Sequence, residues 1–521
     1  MSVNYAEQVR RHAVRTPKRT AVVDGDREVS WAELDERATR IANGLAAAGV
    51  VRGDRVALLV DNSLRPLEVM IACARAGFVH VPLDFRLAEA DVRSILADCG
   101  ARAVIVDTPY LPTARRVRPD LPDVAVWVTD RAADGAADRA VGFTDYDELV
   151  DRASTTRPAA DVDDHGLLCI LYTSGTTGRA KGVTATHLQS LDNAMGVILG
   201  SEIDGDTRYA VSYPHGSAGT IHHVWGPVLL RGGCLVLSDV RQFSAERFFA
   251  LVERHRVTHC QLVPTMVFRL LDHPDRGRFD LSSLRTMGYA SAPIPPERVR
   301  HVLETFGPIL VQMYGMTETA SHATILGKAD HVRAAAGADH LFASCGRPAI
   351  GAEIRILDDD GRPVPTGEVG EIVMRARWFT SGYWNDPERT AEALRDGWLY
   401  SGDLGRMDAE EYLYVVDRKK DLIITGGANV ASTEVEAALY DHPAVQEAAV
   451  IGRPDREWGE AVHAVVSLRP DGTTSPAELI AWCRERLAHF KCPKSVEIRA
   501  ELPRTSTGKL AKAVLRAELT G

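Results

Sequence analysis

Leu167-Leu168-Cys169-Ile170-Leu171-Tyr172 runs straight into Thr173-Ser174-Gly175-Thr176-Thr177-Gly178-Arg179-Ala180-Lys181-Gly182. The first six residues are an apolar run of strand length. The next ten crowd hydroxyls, glycines and a lysine into a turn. Glycines let backbone N–H groups point inward, hydroxyls donate, and a lysine adds a compact positive charge, which together suit a polyphosphate. The spacing does not fit G-x-x-x-x-G-K-[ST], so this is not a Walker A loop. A plain Gly/Thr turn is the alternative that composition alone allows.

Upstream, Ser30-Trp31-Ala32-Glu33 reads as a capping box opening a helix that carries Leu34, Ala38, Ile41, Ala42 and Leu45 on one face and stops near Gly49. Arg55–Val60, Val79–Leu83 and Ala103–Val106 read as strands, with a helix over Leu67–Ala76 between the first two. That rhythm predicts a layered α/β domain with parallel strands. It recurs from Leu167 to about Leu310. Beyond Gly351, Glu353–Leu357, Glu371–Arg375 and Tyr412–Val416 alternate between Asp/Gly turns and predict an antiparallel, β-rich subdomain. After the charged run Asp417-Arg418-Lys419-Lys420-Asp421, a strand over Val462–Leu468 and a helix over Ala477–Leu487 mark a further domain. The expected organisation is a large domain over 1–417 and a small α+β domain over 418–521.

The chain has 521 residues, with 61 Lys+Arg against 71 Asp+Glu and a formal net charge of −10. With 45% hydrophobic and 25% charged residues it has the composition of a globular chain. The acidic balance gives no reason to expect nucleic-acid binding. Eight cysteines stand singly, without a C-x-x-C pair, as a reduced chain carries them. No signal-peptide core opens the sequence, and no stretch approaches the roughly 20 apolar residues of a membrane span. A soluble, cytoplasmic protein is the expectation; its oligomeric state is not legible.

The turn Tyr172–Gly182 resembles the signature of the AMP-forming adenylating superfamily, which includes acyl-CoA synthetases, peptide-synthetase adenylation domains and firefly luciferase. The likeness repeats in order along the chain. Tyr289-Ala290-Ser291-Ala292-Pro293 resembles the segment lining the adenine, and Tyr314-Gly315-Met316-Thr317-Glu318 the Y-G-x-T-E element. Tyr400-Ser401-Gly402-Asp403 resembles the ribose-binding Y-x-G-D. Asp417–Asp421 resembles the interdomain hinge and Gly426-Gly427-Ala428-Asn429 a glycine element beyond it. Pro503-Arg504-Thr505-Ser506-Thr507-Gly508-Lys509 resembles the terminal lysine motif.

The resemblance implies an ATP-dependent ligase, most like a carboxylic acid–CoA ligase. By that likeness Thr173, Ser174, Gly175, Thr176, Thr177, Gly178 and Lys181 hold phosphates. Tyr289, Ala290, Ser291, Tyr314, Gly315 and Met316 line the nucleotide, and Asp403 takes the ribose hydroxyls. Thr317 contacts phosphate, Glu318 ligates Mg²⁺, Arg418 supports the nucleotide, and Lys509 bridges the acid and the α-phosphate. Lys420 holds the hinge position, about which the small domain swings between two half-reactions. Gly426, Gly427 and Asn429 lie beside the pantetheine arm of coenzyme A. Two departures stand out: Ala290 where many relatives have Gly, and Ala431-Ser432 where many CoA ligases carry Tyr-Pro.

His215, Gly216, Ser217 and His322 are candidates for the acid pocket, in the region where the family builds that wall. His222 and His223 could contribute, but helix packing is their plainer reading. They do not form a metal site, since zinc needs three or four arranged ligands. The implied partners are a small carboxylic acid and coenzyme A. The alternative acceptor is a carrier-protein thiol, acting in trans, or an amine.

Overall fold

The computed structural model of the chain describes residues 4–130, 142–158, 162–173, 180–241, 243–290, 294–504 and 510–520. The polar connection expected over Asp130–Asp138 lies almost entirely outside them. The chain divides into two units, Met1–Glu353 with Arg375–Leu394, and Ile354–Met374 with Arg395–Gly521.

In the first unit, Ser30 opens the helix Trp31–Ala47 by accepting from the Glu33 N–H at 3.2 Å. Only half of the expected capping box forms, because the Glu33 carboxylate is drawn to Arg27 at 2.5 Å instead. The expected strands and helix appear as Arg55–Leu59, Val79–Pro82, Ala101–Val106 and Leu64–Ala76. Gly77 ends that helix at φ 74°, a left-handed conformation glycine adopts without steric cost.

Two sheets build the unit. One runs, in spatial order, through Thr144–Asp145, Val126–Thr129, Ala101–Val106, Arg55–Leu59, Val79–Pro82, Leu167–Thr173 and Lys181–Thr186. Its strands are parallel except for the final hairpin. Successive side chains along Arg55–Leu59 enter opposite apolar layers, Val56 and Leu58 one, Ala57 and Leu59 the other. A strand covered on both faces reads as a continuous apolar run, which is why its sequence shows no alternation. The other sheet has a parallel centre of Leu310–Tyr314, Thr286–Tyr289, His259–Leu262, Arg208–Val211, Cys234–Leu237 and Thr20–Asp24, with antiparallel edges. A shared core containing Leu168, Leu171, Tyr209, Leu235 and Val311 joins the two.

The second unit holds an antiparallel sheet of Glu353–Leu357, Gly370–Arg375, Trp398–Met407, Leu394–Arg395 and Leu413–Arg418, as the alternating pattern predicts. A second sheet follows, of Ala428–Val430, Ile423–Thr425, Gly459–Leu468, Val445–Asp455 and Ser495–Arg499, with Ser495–Arg499 parallel to its neighbour. Helices Ser432–Tyr440 and Pro476–Arg484 pack on it through Val435, Leu439, Leu479 and Cys483. All eight cysteines are buried thiols. Among the described residues, no helix is long and apolar enough to cross a membrane.

Candidate active site

The signature turn joins two antiparallel strands, Leu167–Thr173 and Lys181–Thr186, with Thr173 opposite Lys181. Ser174, Gly175, Thr176, Thr177 and Gly178 lie outside the described residues. Gly182 sits so close to Ile170 and the Tyr172 ring that a Cβ would lie 2.8 Å and 3.0 Å from them. At the mouth of the turn the buried Thr173 hydroxyl has no hydrogen-bond partner among the described residues.

Lys181 points at Glu318. Its Nζ lies 3.0 Å from Glu318 Oε1 and 3.1 Å from the Tyr383 hydroxyl, which itself donates to Glu318 Oε1 at 2.8 Å. The ammonium also sits 4.7 Å from the Tyr383 ring centroid. Backbone pairing places Tyr383 there: Trp384 N–H donates to Gly182 O at 2.7 Å and Thr184 N–H to Gly382 O at 3.2 Å. Burial and the neighbouring carboxylate push the Tyr383 phenol well above its ordinary pKa, so it remains a donor. The sequence reading missed Tyr383, since an aromatic after a glycine in a loop carries no chemical signal until pairing brings it beside a charge.

Thr317 and Glu318 belong to a short turn, Thr317–Thr319, whose start is held by the Met316 N–H donating to Thr319 Oγ1 at 2.9 Å. The Glu318 carbonyl accepts from Thr380 N–H at 2.8 Å. Gly315 is obligatory at its place, because a Cβ would fall 2.6 Å from the Ser321 carbonyl. Tyr289 turns its phenol inward, 3.2 Å from Gln312 Oε1 and 3.0 Å from His331 Nε2, beneath a half-buried Ala290. Ser291 lies outside the described residues.

His215 is buried, donating through Nε2 to the Val60 carbonyl at 2.9 Å while its N–H donates to Asn62 Oδ1 at 2.8 Å. Burial lowers its pKa to about 4, so it is neutral. Gly216 approaches the Asp84 backbone, and Ser217 is committed locally to Thr220, with 3.1 Å between their hydroxyls. His222 and His223 lie in a wide helical turn, Gly219–Trp225, and both are buried. His222 packs 3.8 Å from Cys169 Sγ in the core. His322 is fully buried and stacked on Trp378, with ring centroids 5.4 Å apart.

The second unit carries the remaining motif residues. Asp403 is buried on Trp398–Met407, directly opposite Arg418 on Leu413–Arg418, with Arg418 Nε 3.3 Å from Asp403 Oδ1. Asp417 accepts from the Ser432 N–H at 2.5 Å and the Ser432 hydroxyl at 2.8 Å. Lys512 in turn reaches Ser432 Oγ and Glu436 Oε1, both at 2.7 Å. The serine that departs from the Tyr-Pro pattern is therefore the residue that bonds Asp417. Lys420 is exposed. Gly426 and Gly427 have φ 57° and 79°, and a Cβ on Gly426 would lie 2.7 Å from the Trp458 ring. Asn429 is exposed on Ala428–Val430. Lys509 lies outside the described residues, between the paired residues Arg504 and Leu510.

Residues 9–384 match the AMP-binding enzyme family and residues 434–509 its C-terminal domain. A feruloyl-CoA synthase of Amycolatopsis sp is 40% identical, covering 97% of each chain. An indoleacetate–CoA ligase of Aromatoleum aromaticum is 36% identical over 98% of this chain and 97% of its own. The crystal structure of an anthranilate CoA ligase in complex with anthranoyl-AMP superposes with a TM-score of 0.89 at 27% identity, covering 99% of this chain and 97% of that one.

Proposed function

The chain belongs to the AMP-binding enzyme family and is an AMP-forming acid–thiol ligase using ATP and coenzyme A, and on that premise we propose how its residues divide the work. A carboxylate is a poor electrophile because its leaving group is oxide. Attack on the α-phosphorus of ATP exchanges that for AMP, and the obstacle is one anion approaching another. Positioning and charge neutralisation therefore carry the step.

One observation carries the proposal: a lysine and a buried carboxylate meet at 3.0 Å at the mouth of a hydroxyl-rich turn. Lys181 and Thr173, with the turn residues, hold the β- and γ-phosphates, and Thr317 contacts phosphate. Glu318 is a hard oxygen donor beside them, which fits Mg²⁺, an ion that keeps most of its waters and takes one or two carboxylates. Bound there, Mg²⁺ would supply positive charge against the phosphates. Asp403 accepts from the ribose hydroxyls, aligned by Arg418. Lys509 brings the acid's carboxylate to the α-phosphate. The 418–521 segment then turns at Lys420, and Gly426, Gly427 and Asn429 pass the pantetheine arm.

The acid is a small aromatic one, the class named by the feruloyl, indoleacetate and anthranilate relatives. We take the enzyme to act in the cytoplasm, a reading that its buried free thiols and its use of ATP support. The Ser432 departure from the usual CoA-ligase pattern favours testing a second acceptor, a carrier-protein thiol or an amine, by mass spectrometry of the products. The main test is pyrophosphate release across a panel of aromatic acids: it requires ATP, Mg²⁺ and acid together, and its absence with every acid would overturn the proposal.

A further inference from the structure

Lys181 is a compact charge on a flexible four-carbon stem, so the backbone beneath it decides where its ammonium can go. Two segments fix that backbone. Across the hairpin, Tyr172 lies opposite Gly182, and its ring presses so closely that a Cβ on the glycine would sit 3.0 Å away. On the other side, Trp384 N–H donates to Gly182 O at 2.7 Å. The residue before it is Tyr383, whose phenol meets Lys181 Nζ.

Both segments converge on one residue that no motif contains. Asp98, in the last turn of the helix Glu89–Cys99, accepts from the Tyr172 phenol through Oδ2 at 2.6 Å. Its backbone carbonyl accepts from the Trp384 indole N–H at 3.2 Å and from Asn385 Nδ2 at 3.3 Å. The side chain thus holds one segment and the main chain holds the other. Tyr172, Ala180 and Trp384 also pack against the same apolar layer.

The C-terminal end of a helix favours cations, yet position 98 holds an acid and the last turn has no basic residue. The neighbouring strand supplies the missing cation. Arg55 donates from Nε to the Cys99 carbonyl and from an Nη to the Gly100 carbonyl, both at 2.6 Å. The same guanidinium lies 5.6 Å from the Trp384 ring centroid. The helix end is therefore anchored to the sheet, and what its acid gains is a hydrogen bond of the stronger, charge-assisted kind.

We propose that Asp98 is a positioning residue for ATP binding: it holds Tyr172 and Trp384 against Gly182 from two sides and so aims Lys181 at the phosphates. The proposal rests on the reading of Lys181 as a phosphate-binding residue and extends it to the groups that place it.

The test uses the full chain as wild type, Tyr172→Phe, Asp98→Ala, Asp98→Asn and the double variant Tyr172→Phe/Asp98→Ala. Calorimetry gives ATP affinity without acid, and pyrophosphate release gives KM for ATP and for acid. Thioester formation from synthetic acyl-adenylate and coenzyme A is the control, since it does not involve the β- and γ-phosphates. Tyr172→Phe and Asp98→Ala should each weaken ATP affinity and raise KM for ATP about 10-fold, and the double variant little further, because both remove the same bond. Asp98→Asn keeps an oxygen acceptor for the phenol and should recover most of the affinity. KM for acid and thioester formation should be largely unchanged. Tyr172→Phe deletes a single hydroxyl, so it answers if Asp98→Ala does not fold. Unchanged ATP affinity in Tyr172→Phe, additive losses in the double variant, or Asp98→Asn no better than Asp98→Ala would each overturn the proposal. So would an equal fall in thioester formation, which marks a general loss of structure. If wild type binds ATP but releases no pyrophosphate with any acid, the adenylation reading fails, while the calorimetric comparison still decides the role of Asp98.

Discussion

The two units treat their buried polar groups differently. In the Met1–Glu353 unit, Thr173 Oγ1, His215 Nδ1, His223 Nε2 and His322 Nε2 are buried without partners among the described residues. In the other unit His463 Nε2 alone is such an atom among the described residues, while Asp403 pairs with Arg418, Asp417 with Ser432, Lys512 with Glu436, and Asp421 with Arg516 at 2.6 Å. An unmet buried polar atom costs about 1–3 kcal/mol, which a ligand can recover on binding. A satisfied network instead rigidifies the chain that carries it. In the proposed mechanism the first unit's unmet groups suit the binding of small molecules, and the second unit's bonded pairs suit a proposed hinge that must keep its shape.

Acid is the harshest way to break that contrast. In the first unit, burial lowers His80 and His322 to about pKa 3 and His215, His222 and His223 to about 4. Each takes up its proton near pH 6.5 when unfolded, so the stability it provides is complete above that pH and is lost as the pH falls towards 4. At pH 5 each contributes a loss of about 2 kcal/mol. The second unit has one buried histidine among the described residues, His463, whose pKa burial also lowers, so fewer such groups act there. Hydrogen exchange at pH 7.5 and 5 should show protection lost first over the first unit; equal loss in both would break the comparison.

Tyr383→Phe removes a hydroxyl that bonds both Glu318 and Lys181 while keeping the ring under the ammonium. Hydrogen bonds to charged groups are worth about 1.5–3 kcal/mol, so kcat/KM for ATP should fall roughly 10- to 100-fold. ATP affinity measured by calorimetry should weaken with it, and unchanged affinity would remove Tyr383 from the site. Ser432→Ala should act on the other side of the comparison. It removes the serine hydroxyl from Asp417 and Lys512 and should cost about 1–2 kcal/mol in urea unfolding of the second unit. Thioester formation should slow more than pyrophosphate release; the reverse order would mean that Ser432 serves the first step.

The parts legible in the sequence are those governed by local rules. The apolar run before Thr173, the alternating strands past Gly351 and the glycines at positive φ all follow from the chain's immediate neighbours. Half of the capping box at Ser30 was not legible, because Arg27 competes for Glu33 from across a turn. Tyr383 and Trp378 stayed silent for the same physical reason: each meets its partner from more than 50 residues away, through backbone pairing or ring stacking. Ser432 looked like a departure from a pattern, and only its bond to Asp417 shows why a small hydroxyl belongs there.

In the proposed mechanism the lysine of the terminal motif serves the first step alone. The direct measurement follows both half-reactions in Lys509→Ala, pyrophosphate release from ATP and acid, and thioester formation from synthetic acyl-adenylate and coenzyme A. The predicted result is a loss of about 10²- to 10³-fold in the first with the second largely intact. Equal loss in both half-reactions, or loss of neither, would contradict it.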